Sequence, residues 1–180
     1  WARDVAPAAV EHLLAGLSDD METRFEQLLH ASLWGNRTDL SYTVAAHLGA
    51  TAAPDQERTN LLVDDSAAVW KHFLAHEGGR FGIIADNAGT ELLMDAALAD
   101  FLLSSDLASE IHLHLKPQPF YVSDAMIADL ANGTDALIEA GGMAGRLGRR
   151  IDAHVSAGDL RPQTHAFYCS SLFFYEMPAS

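Results

Sequence analysis

One stretch of the sequence, RFGIIADNAGTELLMDAALADFLL at residues 80–103, limits the possible folds more than any other. The apolar run from Phe81 to Ala85 predicts a buried strand, and the polar pair Asp86-Asn87 follows at its end. Ala88-Gly89 predicts a loop, and the spacing of apolar residues after it predicts an amphipathic helix over residues 90–104. A buried strand that runs through a short loop into a helix is typical of α/β proteins.

A second strand is predicted for EIHLHLKP, residues 110–117, where apolar residues alternate with His112 and His114. Strand, helix and strand in succession predict a parallel α/β unit. The two histidines share one face of this strand, which suits either a pair of metal ligands or a polar, partly buried surface. Their position in the middle of the strand favours the polar surface.

Helical patterns cover much of the remaining chain. Residues 5–33 are predicted to form helices that pack beside the α/β unit. VSDAMIADL, residues 122–130, predicts the start of another helix with Ser123 or Asp124 as its N-cap. Residues 134–156 carry a further helical pattern that several glycines loosen.

Bulk properties narrow the class of protein. The chain has 180 residues, which is enough for one domain with a hydrophobic core, and its formal net charge is -14. This charge argues against a nucleic-acid partner and against binding to anionic membranes. The chain contains no apolar run long enough to predict a membrane span. An acidic protein that handles an anionic substrate needs a local cation, often a metal ion.

Cysteine usage bears on the compartment. Cys169 is the one cysteine, so an internal disulfide is excluded and a reducing, cytoplasmic location is predicted, with the nucleus as a second one. No signal peptide is visible. Because the sequence begins at Trp1 and ends at Ser180 without an obvious stop element, we expect a piece of a longer protein. The oligomeric state is left open.

A ligand-binding site is predicted at the carboxyl ends of the two strands, where ligands of open parallel sheets bind. Asp86 and Asn87 follow the first strand, and Lys116 and Asp124 follow the second. Two carboxylates and a carboxamide oxygen are hard ligands that suit Mg²⁺, Mn²⁺ or a similar ion. Lys116 could neutralise a phosphate oxygen, and the amides of residues 88–90 could face an anion at the helix start.

Each of these residues also has a plainer interpretation. Asp86-Asn87 before a glycine is a common turn signal, Asp124 could be only a helix cap, and Lys116 could be a solvated lysine. Glu91 and Asp95 lie four residues apart in the first turns of a predicted helix, and Asp95 is explained by the helix dipole alone.

Five segments in order resemble one family. They are SLWGNRTDLS at 32–41, LLVDDSAAVW at 61–70, ADNAGTELLMDAALADFLLSS at 85–105, LKPQPFYVSDAM at 115–126 and THAFY with FYEMP between 164 and 178. Together they resemble the damage-control phosphatases, domain of unknown function family 89. The resemblance is strongest to the subgroup that includes a protein called acidic residue methyltransferase.

This resemblance implies a three-layer α/β/α fold with a parallel-type sheet, a helical part at residues 1–60 and an α/β metal-binding part at residues 61–180. It implies a phosphatase that uses Mn²⁺, Co²⁺, Ni²⁺ or Mg²⁺ and hydrolyses small phosphomonoesters such as fructose 1-phosphate. The matching motifs also imply roles for individual residues. The implied metal ligands and catalytic residues, which also contact substrate, are Asp86, Asn87 and Asp124; the other implied substrate-site residues are Glu91, Lys116, Ser123 and Asn36.

The sequence departs from the family pattern at its C-terminal side. The family continues with another parallel strand, a Gly-Asp-Leu-Asn-Tyr-Arg loop and an Arg-Thr-x-Lys motif, and we expect this portion of the fold to be missing. Two alternatives therefore stay open. One is carboxyl methyl transfer from S-adenosylmethionine to acidic protein residues, which the lack of a glycine-rich nucleoside loop disfavours. The other is a truncated homologue that binds without catalysis.

Overall fold

The computed structural model describes residues 2–35 and 61–177. The helices there are α1 (Ala2–Ala15), α2 (Met21–Trp34), α3 (Ser66–Ala75), α4 (Thr90–Ser104), α5 (Ile127–Ala140) and α6 (Gly142–Ala157). The strands are β1 (Gly79–Ile84), β2 (Ala108–Leu115) and β3 (Leu160–Thr164), followed by two short 3₁₀ turns, Ala166–Cys169 and Phe174–Glu176. Asn36 and the loop predicted near Pro54 lie outside the described residues.

The three strands form one sheet in the order β1-β2-β3, and both pairings are parallel. The predicted α/β class is therefore confirmed. Each of the two predicted strands begins two residues earlier than expected, and β1 ends at Ile84 rather than Ala85. The side chains of Ile111, Leu113 and Leu115 are fully buried on one face, where the hydrophobic core lies.

The third strand was not predicted. Pro162 stands at its centre and interrupts the usual strand signal, because proline has no amide hydrogen to donate. The strand pairs with β2 on one side, and Leu113 lies opposite Pro162 in the register. Among the described strands β3 is an edge, and edge positions tolerate proline. Gly158, with a φ of 83°, ends α6 and turns the chain into this strand.

Helix α4 has the predicted bounds but is not amphipathic. All residues from Leu92 to Leu103 are buried, because β2 lies on one side of the helix while α1 and α2 pack on another. A helix that is apolar on all sides is typical of such a buried position. Two acidic side chains nevertheless lie within it: Asp100 forms a bidentate ion pair with Arg150, and Asp95 accepts a hydrogen bond from Ser32.

The predicted start of α5 was wrong. The helix begins at Ile127, with Met126 as its N-cap, and Met126 donates its amide to the Asp129 carboxylate. Ser123 and Asp124 do not begin a helix, because the Ala125 amide donates to the Asp86 carbonyl and the Ala125 carbonyl accepts from the Lys116 amide, at 2.9 Å each. This pairing holds the chain in an extended form beside the ends of β1 and β2.

The glycines of the predicted 134–156 helix have two distinct roles. Gly141, with a φ of 73°, ends α5 and leads into α6. Gly148 lies where a β-carbon would be 2.9 Å from side-chain atoms of Leu137 and Ile138, so it allows α5 and α6 to pack closely. No helix within residues 2–35 or 61–177 is both long and apolar enough to cross a membrane.

Candidate metal and phosphate site

The segment after β1 and the segment after β2 are joined by backbone hydrogen bonds. The Ala125 amide donates to Asp86 and the Ala88 amide donates to Ser123, at 2.9 and 2.7 Å. Asn87 and Asp124 form an isolated antiparallel bridge between these two bonds. The structure therefore brings Asp86-Asn87 against Ser123-Asp124, at the edge of the sheet where both strands end.

Lys116 connects the two carboxylates at this edge. Its ammonium donates to Asp86 Oδ1 at 2.9 Å and to Asp124 Oδ1. The Lys116 side chain is 16% exposed, so the interpretation as a solvated lysine is wrong. Burial lowers the pKa of Lys116, but the hydrogen bonds and charges of Asp124 and Asp86 outweigh it and leave the pKa raised. The ammonium is therefore charged at neutral pH.

Asp124 is the most buried group of the site, with a side chain that is 3% exposed. Its Oδ1 accepts from Lys116, and its Oδ2 accepts from the amides of Phe120 and Tyr121. Burial alone would raise the pKa of Asp124, but these hydrogen bonds and the Lys116 charge lower it by more, so the net shift is downward. Asp124 is thus an ionised carboxylate that stabilises the preceding turn, and it does not cap the following helix.

Asn87 is oriented by three neighbours in the site. Its Oδ1 accepts a hydrogen bond from Ser123 Oγ at 2.7 Å, while its Nδ2 donates to Glu91 at 3.1 Å and to Asp86 at 3.2 Å. Glu91 lies in the first turn of α4, where Gly35 approaches so closely that a β-carbon there would lie 2.6 Å from Glu91 Cα. The end of α2 therefore packs directly on the start of α4.

Two predictions about neighbouring groups need correction. The Ala88 amide was expected to face an anion, but it donates to the Ser123 carbonyl instead. Asp95 was explained by the helix dipole alone, but it is 5% exposed and accepts a hydrogen bond from Ser32. Burial raises the pKa of Asp95 to about 7, and the nearby carboxylates of Glu91 and Asp86 add to this shift against the Ser32 hydrogen bond.

The oxygen atoms at this edge are of the chemical types that bind divalent cations. Within the described ranges, no three carboxylate, imidazole or thiolate side chains gather as a metal-binding group. The candidate set has two carboxylates, Asp86 and Asp124, and its third oxygen comes from the Asn87 carboxamide, which is also a hard ligand. The Lys116 ammonium lies between the carboxylates, so this edge already holds one positive charge. The chemistry of the ligand set thus suits Mg²⁺ or Mn²⁺.

A cavity of about 540 Å³ lies beside the charged groups. Asp86 and Lys116 contribute to its lining together with Ile84 and Ala85 of the first strand and its end. The remaining lining residues were missed by sequence reasoning: Phe167, Tyr168, Ser170, Leu172 and Phe174. A signal was present for Phe167, Tyr168 and Phe174, because THAFY and FYEMP are among the segments that resemble the family, whereas Ser170 and Leu172 lie between these segments.

The two strand histidines form the predicted polar, partly buried surface. His112 and His114 are half-buried, and the Gln163 side-chain nitrogen lies 3.2 Å from His112 Nδ1 and 3.0 Å from His114 Nε2. The hydroxyl of Tyr168 lies 2.8 Å from His114 Nδ1. These contacts attach the cavity-lining segment to β2 and β3.

The carboxylate–amide–lysine cluster lies at the C-terminal edge of a parallel sheet, and comparison with known proteins identifies the family. Residues 2–180 match the damage-control phosphatase ARMT1-like domain, and the chain belongs to this family. Its relatives include proteins named damage-control phosphatase ARMT1. The Danio rerio protein is 40% identical over an alignment of 121 residues, with coverages of 61% of this chain and 27% of that protein.

Mammalian relatives give similar values. The Mus musculus protein of the same name is 36% identical over 133 residues, which cover 65% of this chain and 30% of the relative. The Homo sapiens protein is 34% identical over 122 residues, with coverages of 62% and 28%. The chain thus matches less than a third of the length of these relatives.

Proposed function

We propose that this chain carries the metal-binding part of a phosphatase that hydrolyses small phosphate monoesters. The observation behind the proposal is the contact of Lys116 with both Asp86 and Asp124 at the strand ends. It combines carboxylate oxygen ligands for a cation with a fixed positive charge for a phosphate. The names of the relatives and the family match support the same reaction class.

The proposed metal ligands are Asp86, Asn87 and Asp124. Asp124 stays ionised because its lowered pKa reflects charged and backbone donors. Ser123 donates a hydrogen bond to the Asn87 carboxamide oxygen, and Glu91 accepts one from the Asn87 nitrogen. These two contacts fix the orientation of the Asn87 side chain. A bound divalent ion would polarise the phosphoryl group and offset charge on its oxygens.

Lys116 would bind a phosphoryl oxygen, because its ammonium is held between strand ends and retains its charge. Asp86 is the more exposed carboxylate, at 66% against 3% for Asp124, so it is the one that can also accept a proton from an attacking water. Asn36 stays a predicted substrate residue from the family motif. The metal is proposed to be Mn²⁺, Co²⁺, Ni²⁺ or Mg²⁺.

The proposed substrates are small sugar phosphates such as fructose 1-phosphate. The cavity beside Lys116 has room for an organic group in addition to the phosphate. We also propose a cytoplasmic location, which the use of a single cysteine supports.

The test is hydrolysis of p-nitrophenyl phosphate and fructose 1-phosphate after chelation and after each metal is added back. The chain should be compared with any longer product of the same reading frame. Turnover that metal restores, in either form, is the expected result. Absence of turnover in both, with every metal, would contradict the proposal and favour a binding protein or a methyltransferase; submicromolar binding of S-adenosylmethionine would select the latter.

A further inference from the structure

The cavity lining combines two chemically different kinds of residue. Asp86 and Lys116 carry charge, whereas the other described lining residues offer aromatic, aliphatic and hydroxyl groups. Leu172 and Phe174 of this uncharged set expose more than half of their surface. A phosphate bound at Lys116 would therefore leave its esterified organic group among uncharged lining residues.

We infer that Tyr168 recognises the organic group of the phosphate ester and so determines substrate specificity. The inference rests on the proposed phosphatase function and adds a residue that the metal and phosphate motifs do not include. Tyr168 lines the same cavity as Asp86 and Lys116. Its ring offers contact area to a carbon skeleton, and its hydroxyl and that of Ser170 offer polar contacts.

Tyr168 is held in one orientation by its surroundings. Its hydroxyl is 2.8 Å from His114 Nδ1, and its ring meets the rings of His114 and Phe167 edge to face, with both centroid distances at 5.7 Å. Phe167 is buried and anchors the segment. Gln163 of β3 contacts His114 in turn at 3.0 Å. A side chain fixed in this way binds a ligand without paying the full entropy of ordering itself.

The protonation of Tyr168 and of its partner His114 matches an uncharged organic group. Burial, with a contribution from His112, lowers the pKa of His114, so its imidazole is neutral at neutral pH. Burial raises the pKa of the Tyr168 hydroxyl, which therefore stays protonated. The charge of the ester is met by Lys116, which lines the same cavity. The charged and uncharged lining residues together would orient the substrate with its phosphate toward the strand ends.

The experiment compares Tyr168→Ala and Tyr168→Phe in the full chain with Tyr175→Ala as a matched control. Tyr175 is 83% exposed and is not among the cavity-lining residues. The substrates are methyl phosphate, p-nitrophenyl phosphate and fructose 1-phosphate, and inorganic phosphate is used as a competitive inhibitor. Thermal unfolding of each variant reports whether the fold is kept.

We expect Tyr168→Ala to raise KM about tenfold for the two larger esters while kcat changes less than threefold. KM for methyl phosphate and the inhibition constant of inorganic phosphate should stay within about twofold, because these ligands have little or no organic group. Tyr168→Phe should raise KM for fructose 1-phosphate and leave p-nitrophenyl phosphate unchanged. Tyr175→Ala should match the wild type.

Equal losses for all three esters, a loss in kcat alone, or an unchanged KM would overturn the inference. If Tyr168→Ala does not fold, the Tyr168→Phe comparison decides, since it keeps the ring. A wild type that hydrolyses no ester contradicts the proposed function instead. Calorimetric binding of the same esters then decides the role of Tyr168: a tenfold weaker affinity in the alanine variant supports it, and equal affinity overturns it.

Discussion

The Lys116 ammonium donates to Asp86 Oδ1 across 2.9 Å, and this contact joins the segment after β2 to the segment after β1. Replacing the ammonium by a thioether tests both of its proposed roles. Lys116→Met should weaken binding of inorganic phosphate at least tenfold, because the fixed positive charge is lost. Mn²⁺ should bind as tightly as before or more tightly, because the ammonium no longer competes for the carboxylates. Calorimetry with each ligand measures both effects.

Lys71→Met is the control for that variant, since Lys71 is an exposed residue of α3. It should leave both affinities unchanged. Unaltered phosphate binding in Lys116→Met would contradict the assignment of Lys116 to the phosphate.

Asp124 should contribute to stability as well as to the site. In Asp124→Asn one oxygen must replace two that accept from Lys116, Phe120 and Tyr121. We expect the free energy of unfolding in urea to fall by about 3 kcal/mol at pH 7. The folded pKa lies below the ordinary value of 3.8, so this contribution is present above pH 4 and disappears as pH falls through the lower value.

Asp135→Asn provides the comparison for this measurement, because Asp135 is exposed on α5. It should cost less than about 0.5 kcal/mol. A loss in Asp124→Asn that is equally small, or one that persists unchanged at pH 2.5, would contradict the described hydrogen bonds.

Asp95 should make the metal-free protein less stable at alkaline pH. Its folded pKa of about 7 exceeds the ordinary 3.8, so the native state binds the proton more tightly and stability falls as pH rises between these values. The difference corresponds to about 4 kcal/mol. Asp95→Asn cannot ionise but can still accept from Ser32. We expect it to equal the wild type near pH 4 and to exceed it at pH 8 in urea unfolding.

The control is Asp152→Asn, an exposed position on α6, which should retain the pH dependence of the wild type. If Asp95→Asn shows the same loss of stability between pH 4 and 8 as the wild type, Asp95 is not the group that titrates.

The contact between Gly35 and Glu91 predicts a steric effect on the site. A β-carbon at position 35 would lie 2.6 Å from Glu91 Cα, so Gly35→Ala forces α2 away from the start of α4. We expect a loss of about 1 to 3 kcal/mol in the free energy of unfolding. Gly16→Ala is the matched control, because its nearest contact would be an ordinary 3.7 Å. Equal stability of the two variants would contradict the close packing.

The local patterns predicted much of the fold near the site. An apolar run ending in Asp86-Asn87 and an alternating run ending before Lys116 were enough to predict two parallel strands whose polar ends meet. Each signal is local. The polar ends are then expected to meet because the carboxyl ends of neighbouring parallel strands lie at the same edge of a sheet. The roles of these residues as metal and substrate ligands stay predictions.

The features that the sequence did not predict depend on tertiary contacts. Strand β3 contains Pro162 and becomes a strand through pairing with β2. From the sequence Asp95 is explained by the helix dipole, and its burial and its hydrogen bond with Ser32 of α2 appear only in the fold. Asp124 looks like a helix cap, but its oxygens are taken by Lys116 and by the preceding turn. In each case the deciding partner is distant in sequence or belongs to a turn that local propensity does not specify.

The central claim is that Asp86, Asn87 and Asp124 hold a metal ion that phosphate hydrolysis requires. The most direct measurement is Mn²⁺ binding by electron paramagnetic resonance, combined with turnover of p-nitrophenyl phosphate, on the same samples of wild type and Asp86→Asn. The Asp86 side chain is 66% exposed, so the variant should keep its fold. We predict at least tenfold weaker Mn²⁺ binding and at least hundredfold lower turnover in Asp86→Asn. Undiminished binding and metal-dependent turnover in Asp86→Asn would contradict the account.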